Sequence, residues 1–547
     1  MDLRRVALFF ALSLLCIYLY SHLVHRFYGP PLPDRAAGGS KGAQPVDLPA
    51  EVPPPAEVVE VAAKVAEPAP EGQSVMVVTD LYRAEWTTTG GRLRGLWLRQ
   101  YRTAVGEESP ELDLIRSRAD QELPVGLEIV PLQFSDASVA YDPDRDSLSL
   151  SGGEQGKIVF RGKGPGGVNI EKELRFQGNQ YSIDLIVRLG AGVVNGSQSA
   201  VVRLTCGAEG EDHSRGGGWL TGRSTSHPWG VVVLDGRRLE NKSFEELKKR
   251  AFEFAEPVWG GFGDQYFITV GVVGSGAGGR LVAERRRDGA PAVVRAEMPM
   301  VGVPAEAKMM LYLGPKDIDI LEASGGSLGR AVDFGWFWFV ALPLLRLIKA
   351  VHVVTGNYGL DIILVSTLIK ILFLPLTKKS MVSMQEMQKL QPQMARLRER
   401  YKDDSQKLQK EMMELYRRHR VNPLSGCLPM LLQLPVFVGL YNALLSAIEL
   451  RHAPFVWWVT DLSSPERLVI GSIGIPLLAI AMGVSMLVQQ WMTPAAGDPT
   501  QRRMMMLMPV VFTFMFINFP SGLVLYWLVN NLLTIAQQYV LVKRTAG

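Results

Sequence analysis

The sequence predicts a multi-span α-helical membrane protein with six transmembrane helices, a large antiparallel β-sandwich domain on one side and a helical hairpin on the other. Three observations lead there. The 547 residues are 47% hydrophobic, an ordinary figure, but the apolar residues crowd into residues 1–28 and roughly the last 200. The middle breaks into short alternating runs separated by turn signals. Lys and Arg are unevenly shared among the loops, which orients the spans. The net charge of +4 is too small to imply nucleic-acid binding, and Cys16, Cys206 and Cys427 form neither a disulfide framework nor a zinc-ligand spacing.

Residues 1–28 carry Arg4 and Arg5 and then an apolar run over 6–20. This is a signal peptide or an uncleaved anchor. No small-x-small site follows the run, and Leu15 is large where a lipoprotein box before Cys16 wants a small residue, so an uncleaved anchor with a cytoplasmic N-terminus is favoured. Residues 29–73, with Pro53-Pro54-Pro55 and Pro68-Ala69-Pro70, are a Pro/Ala-rich linker. Residues 74–322 form the β domain. Runs such as 181–188 and 200–205 alternate, and Asn195-Gly196, Asp235-Gly236 and Asp288-Gly289 mark turns. One amphipathic helix is expected near 243–254. Residues 323–353 hold a run (334–349) that is aromatic at one end, basic at the other and interrupted by Pro343, which reads as a helix lying in the membrane interface.

Residues 354–547 contain five candidate spans, at 357–376, 428–448, 468–491, 504–519 and 521–541. At ~1.5 Å per residue the fourth reaches roughly 24 Å, short of a ~30 Å hydrocarbon core. Local thinning of the bilayer or snorkelling of Arg502 and Arg503 would accommodate it. Twelve Lys and Arg lie in 378–420, two in 493–503 (Arg502, Arg503) and two in the tail (Lys543, Arg544), against two, Arg451 and Arg467, in 449–467. That bias places 378–420 in the cytoplasm, and the β domain on the opposite side.

The segment 378–420 is helical by pattern. Met381, Met384, Met387, Leu390, Met394, Leu397 and Tyr401 recur at steps of three and four, and after Lys402-Asp403-Asp404 the pattern resumes with Leu408, Met412 and Leu415. This is a helical hairpin with an apolar seam, bent by Pro392. Its methionines either hold the two arms together or offer an adaptable surface to partner segments. Gly274, Gly276 and Gly279 match G-x-G-x-x-G, but no clear helix follows, so a hairpin loop is the better reading. His213 and His227 lack an obvious carboxylate partner, and Asn195-Gly196-Ser197 reads as a turn rather than a glycosylation site. No catalytic motif, metal site or cofactor loop stands out, and no cofactor is expected.

Lys370 is the one Lys, Arg, His, Asp or Glu well inside any of the five spans; Asp361 lies near an outer end, where a helix N-terminus favours an anion. Lys370 is six residues from Leu376, roughly 9 Å, a distance its stem could partly snorkel. The alternative is a polar cavity. Ser366 and Thr367 accompany it; Tyr526, Asn530, Thr534 and Gln537 or Gln538 form a stripe at helical spacing in the last span; Gln433 lies in the second. Polar groups in lipid turn toward one another or toward water. No acidic residue in the cytoplasmic halves of the spans can pair with Lys370, which suits transient attraction of an anionic group.

The same residues carry a resemblance. Gly356-Asn357-Tyr358-Gly359, Pro375-Leu376-Thr377, Ser383-Met384, Leu390-Gln391-Pro392, the run 421–429, Gln433-Leu434-Pro435, Glu449-Leu450-Arg451, Pro454-Phe455, Asp461-Leu462 and the run 519–526 resemble the YidC membrane-protein insertase family. Weaker matches in the β domain (Thr79-Asp80, Gly90-Gly91, Trp259-Gly260-Gly261, Asp264-Gln265-Tyr266-Phe267 and 311–316) resemble the periplasmic domain of Gram-negative members, a twisted sandwich similar to sugar-mutarotase folds. The resemblance implies a bacterial inner-membrane insertase and chaperone. It acts on nascent membrane proteins, alone or with the Sec translocon, in contact with membrane lipids, with ribosome contact left to the hairpin and short loops because the tail after Lys543 is short. It implies a client groove of Lys370, Ser366, Thr367, Gln433, Tyr526, Trp527, Asn530 and Thr534, with Lys370 where many relatives have arginine, and a cytoplasmic hairpin presenting Met384, Met387, Leu390 and Tyr401. The competing readings are a transporter for an anionic solute, for which no internal repeat is visible, and a sugar enzyme in the β domain, for which no acid–base pair is visible.

Overall fold

Short β-prone runs, some alternating between buried and exposed residues and others buried on both faces, turn the middle of the chain into sheet. In the computed structural model, which describes residues 44–45, 72–106, 108–115, 123–130, 134–164, 167–190, 199–206, 229–273, 279–285, 291–301, 305–402, 404–419, 428–471, 473–492 and 499–546, the chain forms two compact units. The expected anchor (1–28), nearly all of the linker, Asn195–Ser197, His213, His227, Gly274, Gly276, Asp288-Gly289, Cys427 and the run 421–427 lie outside the described residues, as does the side chain of Met384.

The β unit has sheets of nine, seven and five strands. Described pairs are antiparallel except Ser74–Val78 beside Ser147–Ser149, which is parallel. At the centre of the nine-stranded sheet, Ser182–Leu189 pairs with both Asn169–Gln177 and Ala305–Pro315. Ile183, Leu185, Val187 and Leu189 alternate inward and are buried. Arg188 points outward and donates to Glu171, Glu173 and Glu306 at 2.7–2.8 Å. Burial acts to raise the Glu173 carboxyl, but the hydrogen bonds it accepts from Arg188 and Arg175 hold it below the usual carboxylate range. The Asp235-Gly236 turn is present, joining Gly230–Asp235 to Arg238–Lys242 with Gly236 at φ +55°. The expected helix 243–254 is shorter. α1 spans Phe244–Lys249 behind a Ser243/Glu246 capping box, and Phe252–Phe254 is a strand instead. α2, Ile318–Ser324, is capped by Asp317.

The helical unit begins at Asp333. α3 is Trp338–Thr355, 18 residues with Pro343 inside. The sequence places this helix at 334–349; it starts later and runs on because Ala350, Val351, Val353 and Val354 extend the apolar run, until Gly356 (φ +62°) caps it. α4 is Tyr358–Leu372, started by Asn357, whose side chain accepts from the amides of Gly359 and Leu360. α5, Leu374–Lys389, is bent by 59° from α4. Pro375 lacks the amide that would bond the Ile371 carbonyl, so the expected span 357–376 cannot continue straight. α6 is Gln391–Arg400, with Pro392 in its first turn rather than bending a continuous arm. α7 is Ser405–Arg418, α8 Leu428–Ser446 with Pro435 inside, α9 Leu477–Met492, α10 Pro499–Phe516 with Pro509 inside, and α11 Ser521–Ala546. The first part of the expected span 468–491 is not helical: Leu468–Ile470 and Ile473–Ile475 pair as a β-hairpin.

Among the described helices, α3 is long and apolar enough to cross a membrane, by length and composition, and α4 with 374–383 would also qualify if the bent pair is one span. Gln433–Ser446, α9 and Met506–Phe516 are shorter apolar stretches.

Candidate functional site

α4 and α11 pack against each other, and their facing polar residues meet. Lys370 lies in the last turn of α4, two residues from its end, where the helix dipole favours a cation. Only 9% of Lys370 is exposed. Its Nζ donates to Asn530 Oδ1 at 3.1 Å and to Thr534 Oγ1 at 2.8 Å. Asn530 and Thr534 are four residues apart on α11, so one helical face presents both oxygens. Gln433 Nε2, from α8, donates to the same Asn530 Oδ1 at 3.0 Å, and Gln433 also lies against the buried Tyr526 hydroxyl. Three helices thus converge on one amide oxygen.

The sequence leads one to expect a cation without a fixed partner. The structure gives Lys370 two partners, both neutral. A lysine at the centre of a membrane helix costs about 3 kcal/mol, which is an upper bound for Lys370 in the last turn of its helix. Two hydrogen bonds from a charged donor, at roughly 1.5–3 kcal/mol each, are of the same size, or less if membrane partners in the unfolded state compete. The cation is tolerated here, and nothing in the cluster neutralises its charge. An anion entering would meet a desolvated full positive charge held only by dipoles.

The remaining expected residues divide. Ser366 Oγ and Thr367 Oγ1 bond back to the carbonyls of Ile362 and Ile363, at 2.5 and 2.7 Å, and so do not engage Lys370. Trp527 packs edge-on against Phe437 (centroids 4.7 Å apart) and Phe516 (4.9 Å), while Tyr526 stacks on Phe437 at 6.1 Å. An aromatic wall therefore adjoins the polar cluster. Of the residues expected on the hairpin, Leu390 and Met394 are buried and Met387 and Tyr401 are half-buried, and the Tyr416 hydroxyl of α7 donates to Met394 Sδ of α6 at 3.5 Å. Burial raises the Tyr416 hydroxyl above the usual phenol range.

Two features were not anticipated. Asp361 is fully buried, with Oδ2 2.7 Å from His352 Nδ1 and Oδ1 accepting from the Thr355 hydroxyl, and the His352 ring stacks on Tyr358 at 3.6 Å. The pairing ties the end of α3 to the start of α4. The signal in sequence was two polar residues flanking the Gly356-Asn357 break. In the β unit, Asp136 and Lys172 form a buried ion pair, with Arg92 at 3.5 Å from Asp136 and Lys172 donating to the carbonyls of Gly90 and Val125. These residues lie far apart in sequence, so no local pattern could pair them.

Comparisons with known proteins match both parts of the chain. Residues 350–546 match the family model of the 60Kd inner membrane protein, and 74–347 match that of the YidC periplasmic domain. The membrane protein insertase YidC of Geobacter metallireducens is 37% identical over 100% of this chain and 99% of its own. That of Geobacter sulfurreducens is 38% identical over 84% of each. A solved structure of an active YidC insertase, with its first transmembrane domain resolved, is 16% identical, covers 86% of this chain and 95% of its own, and has a TM-score of 0.36. With two family models accounting for both units and relatives aligned over the full length, the chain belongs to the YidC family of inner-membrane protein insertases with a periplasmic domain.

Proposed function

We propose that this insertase works through the cluster around Lys370. The acidic or polar tail of a newly made membrane protein displaces Asn530 and Thr534 from the ammonium, and the tail is held there while the client's apolar segment moves into lipid. The observation that carries this reading is that, among the described residues, Lys370 pairs with neutral oxygens. A carboxylate offers a stronger, charge-assisted hydrogen bond than an amide or hydroxyl, so exchange is downhill. Gln433 and Tyr526 supply further polar contacts, and the Trp527 wall an apolar flank. Ser366 and Thr367, already bonded to their own helix, line the approach and need not bind. Lysine, unlike arginine, provides a point charge without a bidentate fork, which suits varied tails better than one fixed geometry.

In this reading the chain has six spans with both termini in the cytoplasm, and the segment 378–420 is a cytoplasmic hairpin. The Lys/Arg bias of the loops supports that orientation. The hairpin, through Met384, Met387, Leu390 and Tyr401, and the short loops are the surfaces for early client contact and for any ribosome contact; the Sec translocon is the partner for larger clients. No nucleotide is required, because burial of the client's apolar helix, at ~25 cal/mol per Å², drives the step. A carrier for an anionic solute is not favoured, since the relatives are named insertases.

Photocrosslinking tests the exchange. A crosslinker at Thr534 is expected to capture the translocating tail of a stalled client, and to lose it when Lys370 is also alanine. Equal capture without the lysine would remove the cation from the mechanism.

A further inference from the structure

The stretch 468–492 contains no Asp, Glu, Lys, Arg or His, yet it is not one helix. Leu468–Ile470 and Ile473–Ile475 form a β-hairpin around a turn at Gly471 (φ +65°), and α9 starts only after Pro476, whose carbonyl accepts from Ile480. Three side chains of the hairpin are largely bare: Val469 is 69% exposed, Ile470 60% and Ile473 66%. Its base is clasped by polar groups. Glu466 accepts from the Leu478 amide, and Arg467 donates to the Ile517 carbonyl at 2.8 Å and to Asn518 Oδ1 at 3.3 Å. Trp457, in the preceding loop, is 90% exposed.

From this geometry we infer that the hairpin is an interfacial anchor, inserted at the boundary between headgroups and acyl chains of the leaflet opposite the cytoplasm. The inference rests on the membrane-embedded orientation proposed above. Three arguments select lipid as the occupant. First, α9 has 16 residues, which reach ~24 Å, short of a ~30 Å hydrocarbon core. The hairpin is the uncharged segment directly joined to its outer end, so a bilayer thinned around so short a helix has its boundary at the hairpin. Second, α9, which follows the hairpin directly after Pro476, itself exposes apolar side chains at Ile480, Val484, Val488 and Trp491. Exposed apolar surface on both segments suits a continuous solvent such as lipid better than a partner confined to the hairpin. Third, a two-stranded hairpin leaves outer edges of amides and carbonyls that cannot sit in dry hydrocarbon. The boundary supplies water to those edges and acyl chain to Val469, Ile470 and Ile473. Arg467 at the base and Trp457 nearby are residue types suited to the headgroup level.

The test uses the full-length protein in liposomes, with a fluorescent amino acid placed singly at Ile470, at Leu487 in α9, or at Gln155 on the β unit. Quenching is compared between nitroxide lipids labelled near the headgroup and aqueous iodide. The inference expects Ile470 to be quenched by the shallow nitroxide and shielded from iodide, and Gln155 to show the reverse. Iodide quenching at Ile470 equal to that at Gln155 would overturn it. Shielding from both quenchers would also overturn it, by showing a protein partner on the hairpin. Leu487 separates the two levels: lipid quenching there with an aqueous Ile470 removes the anchor alone, whereas an aqueous Leu487 removes the embedding of α9 and the anchor with it.

Discussion

Lys370 stood out in sequence because an isolated cation in an apolar run is costly. Its partners were legible as a class, since Asn530 and Thr534 share a helical face. That Ser366 and Thr367 spend their hydroxyls on their own helix was not legible, because a serine or threonine between turns can reach either a neighbour or the carbonyl four residues back. Asp361 shows the opposite case. A helix-start carboxylate reads as a solvated dipole partner, but it is buried against His352 and Thr355. Asp361→Leu would leave those two groups without their acceptor, at about 1–3 kcal/mol. Thermal unfolding of the purified protein in detergent should show the variant melting lower, and an unchanged midpoint would mean that the contact contributes nothing to stability.

At the scale of elements, periodicity found the helices but not their ends. The break between α4 and α5 follows from Pro375, and the hairpin before α9 competes with a helix that composition allows equally well. Its signal was present in Val469, Ile470, Ile473 and Ile475 spaced by Gly471 and Gly474: β-branched residues with glycines, in a run too long to need them all for one span. The start of α4 is fixed by close packing. A Cβ on Gly359 would lie 2.0 Å from Phe455 Cδ2, while the Asn357 amide donates to the Phe455 carbonyl at 3.0 Å. Gly359→Ala should therefore lower the melting temperature by an amount equivalent to about 1–3 kcal/mol, and adding Phe455→Ala should recover part of it. Failure of the second change to recover anything would place the strain elsewhere.

For the whole molecule, composition alone separates a turn-rich β region from an apolar helical region; the YidC periplasmic-domain model runs over 74–347, past Asp333 and into α3, and the 60Kd inner membrane protein model over 350–546. Long-range pairing inside the β unit, such as Asp136 with Lys172, was not legible, because sheet neighbours are set by topology rather than by nearby residues. The β unit carries its own buried core and ion pairs, and every residue of the Lys370 cluster lies in the helical unit. Deleting 75–320 while keeping the anchor and linker should leave partial insertion of small single-span clients, measured in cells at matched protein levels. Complete loss, with the helical unit correctly inserted, would assign the β unit a direct part in insertion.

The central claim is that the positive charge of Lys370, paired with the neutral oxygens of Asn530 and Thr534, attracts the client's translocated tail. Purified protein in liposomes, given a single-span client with an acidic tail or with a neutral one, measures that directly. Lys370→Ala should reduce insertion of the acidic-tail client about 10-fold, as expected for losing roughly 1.4 kcal/mol of charge-assisted bonding, and leave the neutral-tail client nearly unchanged, while Lys370→Arg should retain both. Equal insertion of the acidic-tail client by the alanine variant would contradict the account.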